Sequence, residues 1–232
     1  MVISENMKLE KTVVNGVSCI AVPIEAFVPV KGEPVICSYS FCIAKAEEWE
    51  KRYFGKLLSS ESLCWLEKEF SAIAENIGYR RVLTENDTML EYVLAPGMHL
   101  PKSCGEIKTH KISSNVVLGE LCRASGCDIE IADDGEDIIF AVVDNGELLA
   151  YAGMNDVSYE DESVEISVET SPAHRRKGYG AACVKALSKH LADKGKTIRY
   201  KCADTNYASV ALAERCGFVL EGTRFSFVCE KI

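Results

Sequence analysis

Val164 to Gly180, VEISVETSPAHRRKGYG, holds the residue types best placed to bind an anion. Val164, Ile166, Val168 and Thr170 alternate with Glu165, Ser167 and Glu169, the period of a half-buried strand. Pro172 ends that strand, and Arg175, Arg176 and Lys177 follow as a cationic turn. Gly178 and Gly180 let backbone approach a ligand closely, and AACVKALSKHLADKG predicts a helix whose first amides and dipole face the same ligand. A pyrophosphate fits this design. The segment is not a P-loop, for no Gly-Lys-Ser/Thr follows, and it lacks the third glycine of a dinucleotide-binding turn.

Arg175-x-x-Gly178-x-Gly180 resembles the acyl-CoA pyrophosphate loop of the GNAT superfamily of N-acetyltransferases. After the short strand Thr197 to Cys202 comes a second segment, Asn206-Tyr-Ala-Ser209-Val-Ala-Leu212-Ala-Glu-Arg-Cys-Gly217-Phe218. It resembles the family's second signature, and its Leu-Ala-Glu-Arg-x-Gly-Phe form is similar to that of subgroups related to antibiotic resistance. The resemblance implies a mixed, mostly antiparallel sheet flanked by helices, with the acyl donor in a splay between central strands. It also implies that acetyl-CoA is bound by Val168, Thr170, Arg175, Arg176, Lys177, Gly178, Tyr179, Gly180, Ala181, Asn206 and Ser209. A backbone amide near Val168 to Thr170 is the expected donor to the thioester oxygen.

The acceptor must attack as a free amine, yet an alkylamine resembles lysine with a pKa of about 10.4. A base is therefore needed, and Glu169 and Glu165 on the polar face of the strand are the candidates, with Glu169 preferred. The alternative is that both are simply the exposed residues of an alternating strand. Many relatives carry a tyrosine seven residues after the motif asparagine as general acid toward the thiolate; here that position is Ala213. Tyr207, Tyr179 or water are the substitutes the sequence offers. Asn206 caps the following helix on one reading and also touches the donor on the other, while Leu212, Gly217 and Phe218 read as packing and helix termination. The function implied is transfer of an acetyl group from acetyl-CoA to a primary amine; the competing reading, kept open by Ala213, is a catalytically silent acyl-CoA-binding sensor or scaffold.

The elements that must hold these residues are legible from about residue 105 onward. Strands are expected at 106–112, 137–143, 147–154, 163–170, 197–202 and 223–229, with helices at 115–124, 179–194 and 206–215. Asp144-Asn145-Gly146 predicts a tight hairpin turn. Residues 1–104 read as an accessory α/β region: helices at 44–54 and 60–77, strands at 12–22 and 89–95, and a turn at Ala95-Pro96-Gly97. The two-part division is thus 1–104, of unassigned role, and 105–232, the acyltransferase domain.

Composition narrows the class further. A chain of 232 residues with 47% hydrophobic and 26% charged residues suits one large or two small globular domains. Its formal charge of −9 argues against a nucleic-acid partner. The acidic runs Asp133, Asp134, Glu136, Asp137 and Glu160, Asp161, Glu162 steer a cationic acceptor on one reading and are solvated loops on the other. Neither a signal peptide nor a membrane span is expected, because the N-terminus has no apolar core and Val13 to Val30 is interrupted by polar residues and Pro23. Eleven cysteines without a Cys-x-x-Cys pair, several of them within strand or helix patterns (Cys64, Cys183, Cys202, Cys216), point to a reduced, cytoplasmic protein. The four histidines are scattered, so no metal site is expected.

Overall fold

The computed structural model describes residues 2–4, 12–14, 17–98, 107–112, 117, 119–120, 138–158 and 161–232. The chain divides into two compact units. One comprises Met1–Glu91, Cys202–Asn206 and Glu221–Ile232; the other comprises Tyr92–Lys201 and Tyr207–Leu220.

In the first unit the strands are β1 (Val2–Ser4), β2 (Thr12–Val14), β3 (Val17–Pro29), β4 (Val35–Ser38) and β5 (Tyr79–Arg81). The helices are α1 (Ile43–Arg52) and α2 (Ser60–Asn76). β3 pairs antiparallel with β2, with β4 and with the last strand of the chain, β12 (Val219–Lys231); β5 also pairs antiparallel with β12, and β1 runs parallel to β4. β4 and β5 escape the sequence reading because three or four residues are too few to establish a period of two. The stripe Ser62, Leu66, Phe70 and Ala74 buries one face of α2, and Cys64, expected to behave as a small core hydrophobe, lies off that stripe and is exposed. Ser59 caps the helix by accepting a hydrogen bond from the Ser62 amide. The core gathers Ile24, Ile36, Trp49, Leu66, Phe70 and Phe227, and the indole of Trp49 donates to Ser62 Oγ at 2.7 Å.

β12 also supplies this unit's polar core. Arg224 is held between the carboxylates of Glu91 and Glu25 and lies over the ring of Phe27. Glu91 is 4% exposed, and that guanidinium is its ion-pair partner.

β6 (Thr88–Leu94) is followed by the turn expected at Ala95, where the Met98 amide donates to the Ala95 carbonyl. In the second unit β7 (His110–Ile112), β8 (Ile139–Asp144), β9 (Glu147–Val157) and β10 (Val164–Thr170) pair antiparallel in sequence, and β11 (Ile198–Ala203) lies parallel to β10. The turn between β8 and β9 has positive φ at both Asn145 and Gly146, 49° and 82°, the backbone that Asn-Gly favours. α3 (Tyr179–Ala192) and α4 (Tyr207–Arg215) complete the unit. α4 ends as the sequence predicts: the Phe218 amide donates to the Ala213 carbonyl and the Gly217 amide to that of Glu214. Phe218 is buried against Tyr200. Of the helix expected at 115–124, Val117, Gly119 and Glu120 are helical; its other residues, the acidic run at 133–137, Glu160, and Cys104, Cys122 and Cys127 lie outside the described residues. In both units the sheet is mostly antiparallel and flanked by helices.

Among the described residues no helix is long and apolar enough to cross a membrane, and no group of three or more histidine, cysteine or acidic side chains is placed to hold a metal ion. Cys42, Cys183 and Cys216 are buried thiols, and burial pushes them up to about 11, 12 and 11 respectively.

Candidate active site

β10 is the element around which the site is built. It pairs with β9 along its whole length, Val164 to Thr170, with one bulge between Glu165 and Ile166. With β11 it registers only at Val164↔Ile198 and Glu165↔Arg199. The register ends at Glu165, at the place where the family resemblance implies a splay.

Two hydrogen bonds fix which backbone groups face that opening. The Val164 amide donates toward β11, to Thr197 O, and the Ser171 amide donates toward β9, to Leu149 O. Since successive amides alternate in direction along a strand, those of Val168 and Thr170 point to the β11 side. An extended ligand entering there meets strand donors, as an added strand would.

The helix that starts beside this opening is unusually bare at its N-terminus. Gly178 occupies the cap position with φ 87°, and no side chain caps α3. The Ala182 amide closes the first helical turn onto Gly178 O, so the amides of Tyr179, Gly180 and Ala181 precede the helical ladder. No acidic residue lies in that turn. Gly180 makes the approach to β10 possible: a Cβ there would lie 2.7 Å from Thr170 Oγ1 and 3.5 Å from Val168 Cγ2.

The cationic turn closes the other side. Arg175, Arg176 and Lys177 are exposed, and Arg176 has φ 63°. Arg175 Nε donates to the Thr170 carbonyl at 3.3 Å. Lys177 is tied back: its Nζ lies 3.4 Å from His174 Nδ1, while His174 Nε2 lies 3.0 Å from Glu147 Oε1. With the ammonium donating to Nδ1, Nε2 carries the proton and donates to the carboxylate.

The two faces of β10 differ in kind. Val168 and Thr170 face α3, whereas Glu165, Ser167 and Glu169 occupy the other face. There the two candidate bases are held differently. Glu165 is in an ion pair with Lys201 at 2.7 Å and accepts from Asn155 Nδ2 at 3.2 Å. Glu169 forms no ion pair among the described residues; its Oε2 lies 3.4 Å from the hydroxyl of Tyr151, its direct cross-strand neighbour. Tyr151 was not legible as a site residue, because nothing in the sequence fixes the β9–β10 register that brings it opposite Glu169.

The second signature is distributed as follows. Asn206 directly precedes α4 and is exposed, and its amide donates to Ala203 O. Ser209 is half-buried within α4. Ala213, standing where relatives carry a tyrosine, is fully buried. The far end of α4 approaches the start of α3, with Cys216 Sγ 3.9 Å from Ala181 O.

Residues 117–218 match the model of the acetyltransferase (GNAT) family. Among solved structures, the chain is similar to an acetyltransferase of that family from Novosphingobium aromaticivorans, with 18% identity and a TM-score of 0.52 over 67% of this chain and 68% of the other. A GCN5-related N-acetyltransferase from Kribbella flavida shares 17% identity at a TM-score of 0.48, over 68% of this chain and 62% of that one. A GNAT-family acetyltransferase from Colwellia psychrerythraea shares 14% at 0.48, over 82% and 75%. No curated protein matches the chain.

Proposed function

From the premise that residues 117–218 carry a GNAT-family acetyltransferase domain, we propose that the chain transfers an acetyl group from acetyl-CoA to a primary amine by direct attack. The observation that carries this reading is the end of the β10–β11 register after Glu165 beside an uncapped helix start and a cationic turn. The donor set suits acetyl-CoA. Amides at Tyr179, Gly180 and Ala181, with Arg175, Arg176 and Lys177, face a pyrophosphate, and the missing Cβ of Gly180 lets that helix start sit against Thr170 and Val168 of β10. The strand amides of Val168 and Thr170 take the extended arm and the oxygen of the thioester, which supplies the activated acyl group. Residues 105–232 are the acyltransferase domain in this reading, and 1–104 are accessory.

Glu169 takes the proton of the attacking amine, for Glu165 already has its oxygens engaged by Lys201 and Asn155. The amine nitrogen bonds to the carbonyl carbon, the carbon–sulfur bond breaks, and the thiolate takes a proton from water while Glu169 returns the amine's proton to solvent. A thiol with a pKa of about 8.5 leaves at neutral pH without a dedicated acid, so the buried Ala213 is compatible with turnover. That same alanine favours the second reading, a silent acyl-CoA-binding module.

The test is release of free thiol from acetyl-CoA with spermidine, glucosamine, glycinamide and a lysine-containing peptide as acceptors. Turnover with any of them supports the enzyme; tight acetyl-CoA binding with none supports the silent module. In an active enzyme Glu169→Gln lowers turnover at least about tenfold with acetyl-CoA affinity nearly unchanged, and full turnover in that variant places the base elsewhere.

A further inference from the structure

We propose that Tyr151 is a positioning residue for Glu169, holding the carboxylate on the acceptor face of β10 through its phenol hydroxyl. The inference rests on the acetyltransferase reading above. β9 and β10 set Tyr151 and Glu169 directly opposite each other, and directly opposite antiparallel residues share one face of the sheet. That face continues through β8 into the apolar cluster of Ile112, Ile139, Ala141 and Leu148, against which the Tyr151 ring packs. The ring therefore has an apolar bed and the hydroxyl a fixed direction. The half-buried ring carries its polar tip toward β10, where a carboxylate oxygen of Glu169 stands 3.4 Å from the hydroxyl.

The separation is long for an O–H···O bond, and a shift of about 0.5 Å brings it within ordinary range. Hydrogen bonds in catalytic groups often tighten only when substrate arrives. Two other charged groups on the same face are engaged: Glu165 with Lys201, and Arg199 with Asp161 and Ser163. In this arrangement the phenol donates to one oxygen of Glu169 and leaves the other for the amine proton.

The experiment compares wild type, Tyr151→Phe, Glu169→Gln and the double variant, using acetyl-CoA and whichever amine of the panel turns over fastest. Tyr151→Phe keeps the ring and its packing, so its melting temperature and acetyl-CoA dissociation constant stay close to wild type. Its kcat falls about fivefold or more while the acceptor KM changes less than about twofold, and in the Glu169→Gln background the same substitution has no further effect, as for two groups acting as a unit. In protein labelled with carbon-13 at tyrosine Cζ, the Tyr151 resonance, identified by its loss in Tyr151→Phe, moves in Glu169→Gln.

An active wild type with Tyr151→Phe at full kcat, a loss carried by KM alone, an equal loss in both backgrounds, or an unmoved Cζ resonance each overturns the positioning role alone. A wild type that turns over none of the panel amines overturns the acetyltransferase reading and this role with it.

Discussion

Gly180→Ala is the sharpest test of how the helix start is seated on β10. The added Cβ would lie 2.7 Å from Thr170 Oγ1, closer than carbon and oxygen tolerate, and 3.5 Å from Val168 Cγ2, an ordinary contact. Threonine is stiff at χ1, so Oγ1 yields only by rotamer change or by displacement of α3. Overpacking of this kind costs about 1–3 kcal/mol. Against it stands the helix preference of alanine over glycine, at most about 1 kcal/mol and less in a first turn. The net loss is therefore up to about 2–3 kcal/mol, or about 4–12 °C in melting temperature at a typical 2–4 °C per kcal/mol for a chain of this size. Thr170→Ala removes Oγ1, and in that background Gly180→Ala is neutral or stabilising. Thermal unfolding of wild type, both single variants and the double variant gives the coupling, expected at about 1 kcal/mol or more. Calorimetry with acetyl-CoA follows the same pattern: affinity falls in Gly180→Ala and returns in the double variant. Equal stability changes for Gly180→Ala in the two backgrounds, within about 0.5 kcal/mol, refute the claim that this contact seats the helix.

Gly178→Asp and Gly178→Asn separate charge from strain at the cap of α3. Both residues tolerate positive φ better than other side chains, and among the described residues a Cβ here meets only Ile107 Cδ1, at 3.5 Å, so both variants fold. Asp raises the acetyl-CoA dissociation constant at least about tenfold, about 1.4 kcal/mol, and Asn changes it much less; equal affinities by calorimetry mean the pyrophosphate lies elsewhere. The buried thiols set an alkaline limit. Cys183, Cys42 and Cys216 are held up to about 12, 11 and 11 by burial. The unfolded chain thus loses these protons first, and stability is full below about pH 9 and falls as pH rises from there toward about 12. Melting temperatures between pH 8 and 11 show this fall, and Cys183→Ala flattens it; a slope unchanged in that variant rejects the assignment.

Much of the second unit was legible because its signals are local. The alternation of Val164 to Thr170, the Asn145-Gly146 turn and the Arg175 to Gly180 loop each declare themselves within a few residues. Helix ends came within two residues of expectation at α2, α3 and α4, since Ser59, Gly178 and Gly217 punctuate them. What was hidden depends on pairing between distant residues. The opposition of Tyr151 to Glu169, the capture of Glu165 by Lys201 and the two carboxylates on Arg224 are products of register. β12 is longer than the strand expected at 223–229 because Val219 to Gly222 lack a clean alternation yet extend the same backbone. What reads as one strand at 12–22 is the antiparallel pair of β2 with β3, which runs on to Pro29.

In the proposed function, the end of the β10–β11 register after Glu165 places recognition in the main chain. Every residue except proline carries an amide, so replacing the side chain of Val168 or Thr170 leaves the donor in place. A contact built this way is indifferent to the identity of the residue that bears it, and the sequence along the opening is free to answer to other demands: packing against Gly180 on one face, acid–base chemistry at Glu169 on the other. On that proposal one short strand serves three purposes that do not compete for the same atoms, and drift on either face leaves the seat of an extended ligand intact.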